Sequence, residues 1–208
     1  GVPGARRRAF LLSHRPDLRP VDVSGRSPAE LHADPGGLAA VVVSSWEARI
    51  AGLSGRVAEL LDPRSWLPEP GQGIVALVAR HPIAEATALD HLPTRTALRA
   101  ELALLDALGV MAGVRPRGAG AAGRARAGEG APAAPAPGTW RGGALGSLAQ
   151  PSGRLVRLWA AVVSPDGRRV VRADLTGPLD EPELLGAAVA RQLVRRGADL
   201  VLAGGAEA

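Results

Sequence analysis

The sequence predicts an α/β fold leading into a small α+β unit, and two observations carry that prediction. Helix-start and helix-stop signals alternate with continuous apolar, β-branched runs in the first half of the chain. A hairpin with strong turn chemistry follows in the second half. No apolar run approaches the roughly 18 residues of a membrane span, and the basic start at Arg6, Arg7 and Arg8 is not followed by a signal-peptide core and cleavage site, so a soluble, cytoplasmic protein is expected. With 208 residues, 46% of them hydrophobic, the chain can bury one domain of average size or two small ones. Aromatic residues make up only 2%, so the core is built from Ala, Val and Leu.

Taken in order, residues 8–12 form a short apolar run, a strand or a helix end, that stops at the turn-forming cluster His14-Arg15-Pro16-Asp17. Ser27 as N-cap with Pro28 at the first helical position starts a helix, which Asp34-Pro35-Gly36-Gly37 stops. Residues 38–43 have the continuous apolar pattern of a parallel strand covered on both faces. A second helix is predicted over 46–61, closing at Asp62-Pro63, and another buried strand over 74–79, ahead of Arg80. Thr94 and Thr96 offer N-caps for a long helix whose Leu98, Leu102 and Leu105 recur at i, i+4 and i+7, with Leu104 and Leu108 beside them and Gly109 placed to end it. Residues 118–153 are low in complexity and read as a flexible insertion, with structure resuming at Leu155. Residues 155–163, the turn Ser164-Pro165-Asp166-Gly167 and residues 168–175 make a β-hairpin. Asp180 and Glu183 form a capping pair around Pro182 for a helix that carries Leu184, Leu185, Ala188, Val189 and Leu193 and ends at Gly197; a last short strand is expected over 199–203.

Several chemistries are excluded by residue type. The chain has no Cys, which removes disulfides, thiolate metal sites and a cysteine nucleophile. It also has no Lys, so every one of its 25 basic residues is Arg, and phosphate-loop and Schiff-base lysines are absent. A net charge of +5 against 20 acidic residues fits a compositional bias toward Ala, Gly, Pro and Arg of the kind a GC-rich genome imposes. His14, His32, His81 and His91 show no metal-ligand spacing, and they are read as solvated or hydrogen-bonded side chains. Gly71-Gln72-Gly73 precedes an apolar run instead of following one, which rejects a dinucleotide fingerprint. The Arg-rich stretch from Arg115 to Arg126 has no interleaved aromatic residues to stack bases, which argues against nucleic-acid binding. Arg6, Arg7 and Arg8 are the informative cluster: guanidinium forks suit carboxylates and phosphates, with a solvated basic stretch as the plain alternative.

Several strings also occur in a telling order: Gly1-Val2-Pro3-Gly4-Ala5-Arg6-Arg7, Arg15-Pro16-Asp17-Leu18, Leu67-Pro68-Glu69-Pro70-Gly71-Gln72-Gly73, Thr94 with Ala100-Glu101, Asp166-Gly167, and Gly197-Ala198. This series resembles the porphobilinogen deaminase (hydroxymethylbilane synthase) family. There a Gly-Thr-Ser-Ser-Leu-Arg-Arg hinge precedes an Arg-Pro-Asp-Leu string, a Pro-x-x-Gly-Gln-Gly-Ala strand, a Thr-x5-Ala-Glu-Arg helix and a Leu-Glu-Gly-Gly-Cys loop. The resemblance implies the second and third domains of a three-domain protein: a periplasmic-binding-protein-like α/β lobe over 1–66, a returning strand of the first domain with its linker over 67–93, and a C-terminal α+β domain over 94–208. That last domain would hold a three-stranded antiparallel sheet with helices, interrupted by the 118–153 insertion. The chain starts at the hinge, so the resemblance leaves outside it most of the first domain, with the catalytic Asp.

The family reaction condenses four porphobilinogen molecules, with loss of ammonia, into hydroxymethylbilane for haem and other tetrapyrroles, on a dipyrromethane primer held by the loop cysteine. The resemblance carries Arg6 and Arg7 over as substrate-binding residues for porphobilinogen or linear tetrapyrrole carboxylates, and carries over no catalytic residue. In the loop 108–114 the position of the primer cysteine is Ala112, so the covalent attachment is not possible. Arginines of the family fall at Ser24 and Glu30, the latter reversing the charge, and the Ala-Glu-Arg arginine falls at Leu102. The expectation is a divergent or truncated member of the family. Its alternatives are a non-catalytic small-carboxylate binding or regulatory module and a subunit or fused piece of another tetrapyrrole enzyme. Without a first domain to join, 74–79 is expected to self-associate or to receive a separate first-domain chain.

Overall fold

The computed structural model describes residues 1–77, 80–81, 84–113, 139–140 and 142–204. Helix α1 (Ala5–His14) opens the chain, followed by two one-turn helices, α2 (Pro28–Ala33) and α3 (Ser45–Ile50), and a 3-10 turn at Ser54–Arg56. After α4 (Ala84–Ala88) comes the long helix α5 (Leu92–Met111), then strands β1 (Thr139–Trp140), β2 (Gly143–Ser152), β3 (Leu155–Val163) and β4 (Val170–Pro178), and finally helices α6 (Pro182–Arg195) and α7 (Ala198–Leu202). The four strands form one antiparallel sheet in chain order, three long strands with the two-residue β1 at one edge.

The C-terminal half follows from its periodicity. The hairpin forms where the turn residues place it, with Val163 opposite Val170 and the Ser164 carbonyl accepting the Gly167 N–H. On β3, Val156, Leu158, Ala160 and Val162 face α5 and α6, while Ala161 and Val163 face the opposite side. The principal core lies between the sheet and helices α5, α6 and α7, around Leu104, Leu108, Leu145, Leu158, Val189 and Leu193. A smaller cluster on the other face joins Ala9 and Phe10 of α1 to Leu67, Ala161 and Val163, with Trp66, Leu148 and Trp159 packed around it. The sheet is therefore covered on both faces at the end where α1 docks.

Several expectations are corrected. Residues 38–43 form no strand: the chain runs extended beside the N-terminus, the Val42 N–H bonding the Gly1 carbonyl and the Gly1 amino group the Ala40 carbonyl. A parallel strand buried on both faces needs strand neighbours, and the one bridge nearby joins Val2 to Asp22. The helix expected over 46–61 stops at Ile50, because Gly52 takes φ 71° and turns the chain out of it. Ser27 caps α2 as expected, with Pro28 in its first turn, and the structure adds a capping box, Ser27 and Glu30 each accepting the other's backbone N–H. Helix α5 begins before Thr94, at His91-Leu92 with Pro93 in its first turn, and runs past the buried Gly109 to Met111, Gly113 taking φ 64° beyond it.

Two further corrections concern the last third of the chain. Strand β2 occupies 143–152, inside the stretch expected to be a flexible insertion: its low-complexity composition hides a strand whose residues 144–152 pair along the whole of β3. Residues 118–138 of that stretch lie outside the described residues. The N-cap of α6 is Glu181, without a side-chain cap from Asp180. Residues 199–203 do not make a strand; Ala198, Val201 and Leu202 meet the core with helical spacing in α7, after Gly197 at φ 88°. Residues 74–77 are likewise outside any strand, with Val75 at 88% and Leu77 at 61% exposure; 78–79 lie outside the described residues.

Candidate functional site

The three consecutive arginines on α1 point in three directions, as residues about 100° apart on a helix must. Arg6 turns inward and is 3% exposed. Its Nη1 donates to the Leu67 carbonyl at 2.6 Å and its Nε to Glu69 Oε1 at 3.2 Å, while the guanidinium stands 5.6 Å from the Phe10 ring centre. Burial lowers the Arg6 pKa, and the neighbouring Glu69 carboxylate opposes that shift. Arg7 is half-buried, 3.7 Å from Glu47 of α3. Arg8 is exposed and borders a cavity of about 190 Å³ shared with Val2 and Asp22. The two sequence-predicted ligand residues are thus adjacent in the chain but differently placed: Arg6 is engaged by the 66–73 segment and Arg7 faces α3.

The positions at which the resemblance expects further arginines are occupied by hydrogen-bonded groups. Ser24 accepts the Gly4 N–H at the start of α1 and donates its hydroxyl to Asp22 at 2.6 Å. That hydroxyl, with the Ser24 amide, holds the Asp22 carboxyl below its usual range. Glu30 is engaged by Ser27 in the α2 capping box, whose backbone N–H is the main reason its pKa is lowered. Leu102 is partly exposed on α5. Ala112, the C-cap of α5, packs against the main core.

A carboxylate that sequence reasoning left without a role lies deepest. Glu101 is 5% exposed, yet it sits on the core-facing stripe of α5 between Ala97, Ala100, Leu104 and Leu105. Its Oε1 accepts the Ala149 N–H of β2 at 2.7 Å and its Oε2 the Gly71 N–H at 2.6 Å. Burial raises its pKa, and the Gly71 and Ala149 amides only partly counter that. The signal was present in the sequence: an acidic residue at a position where the 3.6-residue period demands an apolar one. Glu69 could not be singled out the same way, because its partner is 63 positions distant.

The Pro-Gly-Gln-Gly segment is therefore the meeting point of the molecule. Arg6 from α1 holds it at Leu67 and Glu69, the Ser147 N–H of β2 bonds the Pro68 carbonyl at 2.9 Å, and Glu101 holds it at Gly71. Gly71 and Gly73 take φ 78° and 87°. Among the described residues no group of three or more His, Cys, Asp or Glu could hold a metal ion, and no helix is long and apolar enough to cross a membrane.

No protein-family profile matches the chain. Curated relatives do, and they share one name. A porphobilinogen deaminase of Desulforudis audaxviator is 35% identical over 98% of this chain and 58% of its own length. That of Pelobacter propionicus is 36% identical over 97% of the chain and 57% of its own length. That of Thermus thermophilus is 32% identical over 98% and 60%. A dipyrromethane joined through a cysteine thioether does not fit the residues present, since the chain has no thiol and Ala112 presents only a packed methyl group. This chain is thus a homologue of the porphobilinogen deaminases, matched through nearly all of its own length and spanning about three-fifths of theirs.

Proposed function

We propose that the chain is the second- and third-domain portion of a divergent hydroxymethylbilane synthase, acting in the cytoplasm in tetrapyrrole synthesis by holding the acetate and propionate groups of porphobilinogen or of a linear tetrapyrrole. The observation that carries this is the single collinear match, at 35–36% identity, through the arginine pair, the Gly-Gln-Gly segment, α5 and the hairpin. A growing polycarboxylate needs bidentate cations at successive positions, and Arg6 and Arg7 are the two assigned to it. Titration calorimetry with porphobilinogen tests the assignment. Replacing both arginines with Ala is expected to weaken binding by at least about 2 kcal/mol, from about 1.5–3 kcal/mol for a hydrogen bond to a charged group. Equal affinity in wild type and double variant would return both to a purely structural role.

A second reading, a non-catalytic carboxylate-binding or regulatory module, is favoured by one observation: the absence of any cysteine to hold a primer. Intact mass after incubation with porphobilinogen is expected to show no covalent addition under either reading; an added mass of two pyrrole units would overturn the assignment of Ala112. Turnover on adding a separate first-domain chain would favour the synthase, and binding without turnover the module. The same first-domain chain, or a second copy of this one, is the proposed cover for 74–79, whose Val75 and Leu77 stand in solvent. Sedimentation is expected to show self-association of the chain alone, reduced by Val75→Lys or Leu77→Lys; a dispersed wild-type monomer would refute it.

A further inference from the structure

We infer that Glu101 is a positioning residue: its carboxylate seals the open edge of β2 to the 66–73 strap and, through the strap, sets the place of Arg6. The inference rests on the reading of Arg6 as a ligand residue for its functional part only. Strand β1 covers β2 at Gly143 and Ala144 and no further. Beyond that point the β2 edge faces the strap, and its outward N–H groups, at Ser147 and Ala149, need acceptors. Ser147 finds the Pro68 carbonyl, and Ala149 bonds Glu101 Oε1. The second oxygen takes the Gly71 N–H, so one side chain closes the gap between a strand edge and a loop.

The choice of residue follows from valence. An ionised carboxylate offers two acceptor oxygens and no proton, which is what two N–H groups converging on one point require. Glutamine would turn an NH₂ toward one of them, and aspartate is a methylene too short to span both. Were packing alone at stake, an apolar residue on the core-facing stripe of α5 would serve better than a buried charge. The groups bonded to the Glu101 carboxylate are the Gly71 and Ala149 amides, and no charged side chain acts on it, so the carboxylate is held here for its hydrogen bonds and not as half of an ion pair.

The strap transmits this to α1. Between the Arg6 bond at Leu67 and the Glu101 bond at Gly71 lie three residues, Pro68, Glu69 and Pro70, stiffened by the two prolines and by a bond from the Glu69 N–H to Gln72 Oε1 at 3.0 Å. Trp66, at the start of the strap, packs against Phe10 and His14, so that its emission, read in the full chain as the difference from a Trp66→Phe background that keeps Trp46, Trp140 and Trp159, reports the strap's position.

The test compares Glu101→Gln with wild type, on the full chain at neutral pH, by amide hydrogen exchange, Trp66 emission and porphobilinogen titration. Glu101→Asp, which keeps the charge and shortens the reach, stands in if the Gln variant does not fold. Exchange at Gly71, Ala149 or both is expected to speed up by about tenfold or more, while amides of β3 and α6 hold. Trp66 emission is expected to shift and porphobilinogen affinity to fall several-fold, in the same sense as in Arg6→Gln. Unchanged exchange at both amides with unchanged Trp66 emission would overturn the inference. A local response with full porphobilinogen affinity, where Arg6→Gln weakens it, would overturn the link from strap to Arg6. A local response where neither variant alters porphobilinogen binding would leave Glu101 as the strap's positioning residue and overturn the ligand role of Arg6.

Discussion

Gly146→Ala tests the seam at which α1 and the strap meet the sheet. Gly146 pairs with Ala161 in the middle of the β2–β3 ladder. A methyl group added to it would stand 2.7 Å from Phe10 Cζ, 2.7 Å from Leu67 Cβ and 2.9 Å from the Leu67 carbonyl oxygen. Carbon contacts settle near about 3.5–4 Å, so the neighbours must retreat by about 1 Å. Phe10 is 0% and Leu67 1% exposed, so neither side chain can swing into solvent without leaving the small core. Overpacking of this kind costs about 1–3 kcal/mol, and the Ala-for-Gly gain in a strand returns about 0.5–1 kcal/mol. If α1 instead lifted off entirely, the loss from Phe10 and Leu67 would be about 3–6 kcal/mol, which bounds the effect. A net loss of about 1–2 kcal/mol should lower the melting temperature by about 2–8 °C in a chain of this size. Circular dichroism and Trp fluorescence melts should show it, with Trp66 responding first because it leans on Phe10 at 6.2 Å between ring centres. An alanine variant as stable as wild type, with unshifted tryptophan emission, would mean that α1 does not press on β2 as described.

Three further outcomes are expected. A Cβ at Gly186 would fall on the Ala100 carbonyl and within 2.7 Å of Leu104 N, so Gly186→Ala should force α5 and α6 apart and destabilise by about 1–3 kcal/mol in urea titration despite the better helix propensity of Ala; a stabilised variant would refute that contact. Arg6→Ala leaves the Leu67 carbonyl and Glu69 without their partner and should cost about 1–3 kcal/mol, whereas Arg7→Ala, removing a long and partly exposed pair with Glu47, should stay within about 0.5 kcal/mol of wild type, so equal urea midpoints for the two would contradict the inward and outward placement. Burial raises the Glu101 pKa in the folded state, so the fold binds that proton more tightly than the unfolded chain; stability from this group should fall as pH rises from the usual carboxylate range through the folded pKa, and Glu101→Gln should flatten that slope in a pH series of denaturation midpoints, a slope that survives refuting the assignment.

What the sequence made legible were features whose information is local. The hairpin turn at 164–167, the Ser27 N-cap with Pro28 and the apolar stripe of α5 each rest on local signals, and each formed. Residues 38–43 and 74–77 failed as strands because an apolar run specifies burial, not a partner, and the described residues supply no sheet beside them. Strand β2 was hidden for the opposite reason: Gly-Ala-Leu-Gly-Ser reads as low complexity until Val163, Val162 and Ala161 are set opposite and the missing bulk at Gly146 is seen to admit Phe10 and Leu67. The arginine pair was visible as a pair, but its division into a buried and a half-exposed member follows from helical geometry and from Glu69, 63 positions away.

The two buried charges among the described residues explain each other once the strap is placed between them. Arg6 and Glu101 do not touch; each instead takes up groups of the same eight-residue segment, the cation at a carbonyl and a carboxylate, the anion at the Gly71 N–H, with its other oxygen on the Ala149 N–H of β2. Such a segment, with prolines at 68 and 70 and glycines at 71 and 73, can bond neither as helix nor as regular strand, so its polar groups must be met from outside or left bare. One charge from each side meets them, and the consequence is mechanical: α1 cannot move relative to α5 without breaking a charge-assisted hydrogen bond of a buried Arg6 or Glu101. A ligand carboxylate that reached Arg6 would have to compete with Glu69 and the Leu67 carbonyl, and success would loosen the strap at one end while Glu101 still held the other. Ligand binding at α1 and the exit direction of the exposed 74–77 segment would thereby be coupled through eight residues, by bonds already present in the fold.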